Sequence, residues 1–283
     1  MCNKAPIIVN SNIASLNAQR NLNQSNSALA SSLQKLSSGL RVNSAKDDAA
    51  GLAVSEGLSS QIRGNSQGIR NAYDGISVAQ TAESALGQVG NNLQRIREIS
   101  VQAANGSISD DNRSQLQKEV DQLTQEVSRI VQTTNFNGTK LLTGGSGLTF
   151  QVGSSGSTDN QVTTSGVELS GISAYSGSLT ATGTVNVSSS GAASAAIASM
   201  DAAIRTVTNT RATFGSIQNR FEAVIANTQA YVENLSASKS RIMDTDFASE
   251  TASLTRNQIL QQAGTAILGQ ANTVPQAALS LLR

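Results

Sequence analysis

Apolar residues along this chain recur at helical rather than strand period. Leu22, Leu29, Leu33, Leu36 and Leu40 follow one another at gaps of seven, four, three and four, which lines one helical face at coiled-coil spacing. Leu86, Val89, Leu93 and Ile96 repeat the pattern in a second segment, predicted as a long helix over residues 45–104. Ser44 and Asp47 at its start match a capping box. Its first half carries Gly51, Gly57, Gly64, Gly68 and Gly75. Each interior glycine costs a helix about 1 kcal/mol relative to alanine, so these positions imply a close backbone neighbour that compensates. Asn105-Gly106 closes the segment, and Ser109-Asp110-Asp111 opens another helix with the stripe Leu116, Val120, Leu123, Val127 and Ile130.

Residues 139–191 break the period. They are rich in Gly, Ser and Thr, and between Gly144 and Ser190 the charges are Asp159 and Glu168 alone. Residues 148–152 can form a strand that pairs with 161–167 across 153–160, followed by an irregular surface excursion. The repeated glycines end in no Gly-Lys-Ser/Thr, so a phosphate loop is excluded. Helical spacing resumes near residue 192 with Ile197, Met200, Ile204, Val207, Phe214, Phe221, Ile225, Val232 and Leu235. A last helix carries Leu260, Ala263, Ile267, Ala271, Val274, Ala278 and Leu281, with Pro275 expected to kink it or to open its final turns. The whole predicts a mainly α fold: a long antiparallel helical bundle or coiled coil with a small β-hairpin region and paired N- and C-terminal helices.

Composition narrows the chemistry. The 283 residues include one Cys and no His, which excludes an internal disulfide, Cys/His zinc sites and His-based triads. Charged residues make up 14% and the net charge is +1, so neither acid–base catalysis nor phosphate-backbone binding is well served. No cofactor, metal or catalytic site is expected. Cys2 reads as an exposed, idle thiol. No run of 18 apolar residues is present, and the first residues lack the apolar stretch of a secretory signal. The ends, rich in Asn, Gln and Ser and nearly free of aromatics, do not suit insertion into a membrane surface.

A helix of about 55 residues would run about 80 Å at 1.5 Å per residue, too long for an ordinary globule to enclose. The apolar seams at the two ends then form a thin core, marginal alone and completed by neighbours. Copies of the same chain meeting through such unlike surfaces generate a helical polymer rather than a closed ring.

At this point the residues carry a resemblance. Leu16-Asn17-Ala18-Gln19-Arg20-Asn21-Leu22, Leu36-Ser37-Ser38-Gly39-Leu40-Arg41-Val42-Asn43-Ser44-Ala45-Lys46-Asp47-Asp48, Phe136-Asn137-Gly138-Thr139-Lys140 and Arg241-Ile242-Met243-Asp244-Thr245-Asp246-Phe247 stand in that order. Together with the ending Val274-Pro275-Gln276-Ala277-Ala278-Leu279, they resemble bacterial flagellin, the subunit of the flagellar filament. The resemblance implies a terminal filament-core domain from residues 1–48 and 245–283, packed through Leu22, Leu29, Leu33, Leu36, Leu40, Leu260, Ile267, Val274 and Leu281. It implies a helical rod domain over 49–244, bearing the hairpin and the short excursion. Flagellins often carry large outer domains where this chain has only that excursion, which points to a smooth, slender filament. Export without a cleaved signal, an export chaperone on the C-terminal segment, a filament cap and hook–filament junction proteins are implied in the same way. So is recognition by the vertebrate Toll-like flagellin receptor, on a surface matching Gln94, Arg95, Ile99 and Glu119. A hook–filament junction protein shares the end architecture and is the nearest alternative.

Overall fold

The structure, a computed structural model, describes residues 11–280 apart from Ser146 and Ser165, and side chains as far as Thr273. Cys2 and Leu281 lie outside the described residues, as does the side chain of Val274. Five helices hold most of the chain: α1 (Ile13–Ser38), α2 (Ala49–Ala104), α3 (Asp110–Thr133), α4 (Ser190–Met243) and α5 (Phe247–Ser280). Two antiparallel hairpins lie between α3 and α4. Strands β1 (Asn135–Phe136) and β2 (Thr139–Lys140) pair with each other, as do β3 (Thr149–Gln151) and β4 (Gln161–Thr163). The chain divides into two compact units. One is built from the two chain ends, up to residue 59 and from residue 234; the other comprises residues 60–233.

In the 60–233 unit, α3 and α4 both run antiparallel to α2. Arg97 Nε donates to Asp201 Oδ1 at 2.6 Å and Gln218 Nε2 to Glu83 Oε2 at 3.1 Å, which sets α2 against α4. Buried Arg113 joins α3 to the end of α2, donating to the carbonyls of Ala103 (2.8 Å) and Asn105 (3.0 Å). It thereby satisfies acceptors that a helix C-terminus leaves open. The heptad positions Leu86, Val89, Leu93 and Ile96 are fully enclosed, together with Val120, Val127, Met200, Val207 and Phe214. A second cluster forms where β3 and β4 lie on the helices. Phe150 meets Phe221 edge to face at 5.5 Å, beside Ala72, Val152, Val162 and Ile225.

The glycines of α2 seat that hairpin. A Cβ at Gly68 would strike the Val152 carbonyl, one at Gly64 would strike Ser154, and one at Gly75 would enter the Phe221 ring. The close backbone neighbour expected from sequence is met at Gly64 and Gly68, whereas Gly75 faces the Phe221 side chain, Gly51 the side chain of Asp48, and Gly57 nothing within 4 Å. Asn71 Nδ2 donates to the Gln151 carbonyl at 2.8 Å and Ser154 N donates to Asn65 Oδ1 at 3.1 Å, tying the hairpin across the glycine face.

Two expectations need correction. The stretch after β4 is not a surface excursion, because Leu169, Ile172, Ala174, Val185 and Val187 are buried in the main core. After the single Thr143–Glu168 bridge its described backbone has no sheet partner, and the polar face of α3 takes that role. Gln117 donates to the Val185 carbonyl at 2.8 Å and accepts from Val187 N at 2.7 Å. Asp121 accepts from Gly183 N at 2.8 Å, Ser128 accepts from Ser176 N at 3.0 Å, and Gln132 donates to the Ser176 carbonyl at 3.1 Å. Helical spacing of these side chains makes a ladder along which the extended segment lies. The second correction concerns the start of α2, which is Ala49 rather than residue 45. Asp48 supplies the cap, accepting from Gly51 N at 2.8 Å. Asp47 turns back instead to accept from the backbone amides of Ser44 and Asn43 and from the Ser44 hydroxyl, and these bonds hold its carboxyl below the usual range.

Candidate functional site

The unit formed by the chain ends is built on the antiparallel pair α1 and α5. Asn12 caps α1, accepting from Ser15 N at 3.0 Å, and also donates to the Ala271 carbonyl at 2.7 Å. At the other end of the pair, Gly39 closes α1 in the left-handed conformation (φ 71°), as a helix C-terminus favours. Arg41 N donates to the Met243 carbonyl, Thr245 N donates to the Gly39 carbonyl, and Leu40 bridges Asp244.

Between those ends the seam is thin. On α1 it runs through Ser15, Ala18, Leu22, Ser25, Leu29, Ser32 and Leu36, alternating steps of three and four. On α5 it runs through Leu254, Asn257, Gln261, Gly264, Leu268 and Ala271 in the same steps. Leu22 lies directly over Gly264. The single apolar stripe expected on each helix is therefore divided in two. Leu22, Leu29 and Leu36 hold the seam, whereas Leu33 is rotated about 100° from Ser32 and is 51% exposed. Leu260 and Ile267 each precede a seam residue by one position and point outward, 48% and 60% exposed. Leu40 is half-buried at the turn.

This unit is inverted relative to an ordinary core. Its described buried apolar residues are Ala18, Val42, Leu235 and Met243, while Ile13, Leu16, Leu33, Val54, Phe247, Ile259, Leu260 and Ile267 stand exposed. A groove of about 440 Å³ runs along the pair, lined by Leu22, Ala28, Leu260, Ala263, Gly264 and Ile267. Fully covering a Leu or Ile contributes about 1.5–3 kcal/mol, and apolar surface left in such quantity marks an interaction site. Sequence reasoning found Leu260 and Ile267 but not Ile13, Leu16 and Ile259. The signal for those three is that a seam taking Leu22, Leu29 and Leu36 on α1 and Leu254 and Leu268 on α5 leaves the other large apolar residues outside it.

A second candidate surface lies on the 60–233 unit. Arg95 on α2 contacts Glu119 on α3 at 2.8 Å and Glu98 at 3.2 Å, and all three side chains are substantially exposed. The Glu119 and Glu98 hydrogen bonds raise the Arg95 pKa, keeping an already permanent cation firmly charged. Gln94 is exposed beside it. Ile99 is not part of that surface: at 1% exposure it belongs to the main core. Packed in that core one helical turn beyond Ile96, it lies beneath the charged pair rather than on its surface. Among the described residues no group of His, Cys, Asp and Glu could hold a metal ion, and no helix is long and apolar enough to cross a membrane.

Paired terminal helices with more apolar surface outside than inside define a helical subunit made to polymerise. The bacterial flagellin N-terminal helical region matches residues 9–146 and the bacterial flagellin C-terminal helical region matches residues 197–282. This chain belongs to the bacterial flagellin family. Flagellin FlaB2 of Treponema pallidum is 43% identical over 293 aligned residues, covering 98% of this chain and 100% of that protein. Flagellin D of Vibrio anguillarum is 37% identical over 372 aligned residues, covering 97% and 99%. A putative flagellar hook-associated protein from Vibrio parahaemolyticus shares the fold, with a TM-score of 0.58 over 70% of this chain and 100% of that one at 15% identity. The protein is a structural subunit of the flagellar filament, not an enzyme.

Proposed function

We propose that the two outward stripes of the terminal unit are the surfaces by which copies pack around the filament axis. Leu33 on α1 and Leu260 and Ile267 on α5 would face neighbouring copies, with Leu22, Leu29, Leu36 and Leu40 holding the pair that presents them; in the sequence, Val274 and Leu281 continue the seven-residue spacing of Leu260 and Ile267. Residues 49–244 form the surrounding wall. The single observation behind this reading is the excess of exposed over buried large apolar side chains in the terminal unit. Polymerisation of a chain carrying Leu260→Gln and Ile267→Gln tests it. Sedimentable filament is expected to be lost while helical circular dichroism is retained, and undiminished assembly refutes the assignment.

The same exposed apolar ends suit the finer partners that the family suggests: an export chaperone covering the C-terminal segment before assembly, and filament cap and hook–filament junction proteins at the filament's two ends. Export through the growing flagellum without a cleaved signal fits a chain with no disulfide to form. We also assign the exposed charged patch of Gln94, Arg95 and Glu119, with Ile99 beneath, as a surface for the vertebrate Toll-like flagellin receptor. Arg95→Asp in a soluble subunit would set like charges against Glu119 and Glu98. Receptor activation is expected to fall, and an unchanged response would remove the assignment.

A further inference from the structure

Asn105 and Asn137 are the two asparagines in the chain that precede a glycine. The pairing matters chemically, because a glycine has no Cβ to keep its amide away from the side chain before it. Its nitrogen can attack the asparagine Cγ and close a succinimide ring.

The two sites differ in what holds them. Asn137 and Gly138 sit at positive φ (48° and 82°) between β1 and β2, clamped by the Asn135–Lys140 and Phe136–Thr139 pairs. Bringing Gly138 N onto Asn137 Cγ means undoing the turn and its strand pairs. Asn105 lies just past the end of α2 and is exposed. Among the described residues Gly106 N makes no hydrogen bond, so its proton is open to hydroxide. Ser107 N donates to Asn105 Oδ1 at 3.2 Å, which sets a donor on the oxygen where negative charge develops as Cγ is attacked. Asn105 Nδ2, the group that must leave, has no partner among the described residues. By contrast, the amide after Asn43 is tied down, with Ser44 N donating to Asp47 Oδ2 at 2.9 Å.

One tie opposes the attack. The Asn105 main-chain carbonyl accepts from Arg113 Nη2 at 3.0 Å and from Ile108 N at 3.2 Å, and the peptide must swing out of that grip. Arg113 keeps its bonds to the Ala103 carbonyl and to Asp110 meanwhile. The opening is therefore confined to one peptide and leaves both helices folded.

We propose that Asn105 is a self-modifying site, a one-way marker of subunit age. Gly106 N loses its proton to hydroxide, bonds to Asn105 Cγ and expels the side-chain nitrogen, which leaves as ammonia with a proton from water. A second water then adds to either carbonyl of the succinimide. Opening at the side-chain carbonyl gives aspartate. Opening at the main-chain carbonyl gives isoaspartate, whose peptide link runs through the former side chain. In the isoaspartate the carbonyl that Arg113 held becomes a carboxylate, and the turn between α2 and α3 is one carbon longer. Either product lowers the net charge from +1 to zero.

Incubation of the full chain in mildly alkaline buffer tests the proposal, read by peptide mass spectrometry and an isoaspartate-specific methyltransferase. The peptide holding Asn105 is expected to gain one mass unit, with isoaspartate formed, about tenfold faster than the peptide holding Asn137. In urea the two are expected to react alike. An unaltered Asn105 would overturn the site, and equal rates in the folded chain would overturn selection by the turn. Asn105 still ahead in urea would do the same, by placing the difference in the sequence. Gly106→Ala examines the nucleophile. A Cβ there would meet nothing within 4 Å, so the fold is kept while the attacking nitrogen is crowded, and the rate is expected to fall about tenfold. An unchanged rate, or aspartate without isoaspartate, would overturn attack by Gly106 N. Asn105 lies outside the terminal unit, so these outcomes leave the assembly reading standing.

Discussion

A helical glycine can be a weakness or a seat, according to what lies beside it. In α2, Gly68 faces the Val152 carbonyl, whereas a Cβ on Gly87 would meet nothing within 4 Å. Gly68→Ala must push the hairpin backbone away and is expected to cost about 1–3 kcal/mol, as overpacking typically does. Gly87→Ala removes only unfolded-chain entropy and is expected to stabilise by about 0.4–1 kcal/mol. Urea unfolding of the two variants should therefore shift in opposite directions, and a shared sign would mean the hairpin is not seated on this face. Gly68 was legible from sequence as a point of close approach. Its difference from Gly87 was not, because it depends on where a distant hairpin lands. Ile99 has the same history: its local match to a surface motif says nothing about which way the heptad turns it.

At the scale of elements, periodicity carried most of the reading. The enclosed stripe of Leu86, Val89, Leu93 and Ile96, and that of Met200, Val207, Phe214 and Phe221, follow from spacing alone. The β1–β2 hairpin was not expected, although Asn137-Gly138, with positive φ values of 48° and 82°, suits the tight turn joining antiparallel strands. Residues 168–188 were misread because their apolar residues are sparse and non-periodic, and because the partner of their backbone is a helix face rather than a strand. Gln117, Asp121, Ser128 and Gln132 look like an ordinary solvated stripe until the segment lies upon them. Gln117→Ala would leave the Val185 carbonyl and Val187 N unpaired beside buried side chains. The expected loss is about 1–3 kcal/mol, read as a lowered urea midpoint. A loss within error would show that the segment holds without its ladder.

For the whole molecule, the two units differ in kind. Both described clusters of buried apolar residues belong to residues 60–233, and the unit of the chain ends contains neither. Local opening costs least where few apolar contacts are buried. In a dilute subunit, amide hydrogens of α1 and α5 are expected to exchange well ahead of those in 78–131 and 193–225, and to become protected once filaments form. Equal protection before assembly would show that the terminal pair is complete on its own. The division of α5 into an inner seam and an outward stripe escaped the sequence reading for a related reason. Both stripes repeat every seven residues, and only pairing with α1 decides which one faces in.

The ladder on α3 grips main chain at Ser176 and Gly183, and the side chains between those rungs are mostly exposed. Gly177, Ser178, Leu179 and Thr180 all face solvent, so that bend can change its identity while the rungs stay filled. It is the natural splice point for a foreign peptide, and a filament bearing one there would present it once per subunit, a scaffold for display.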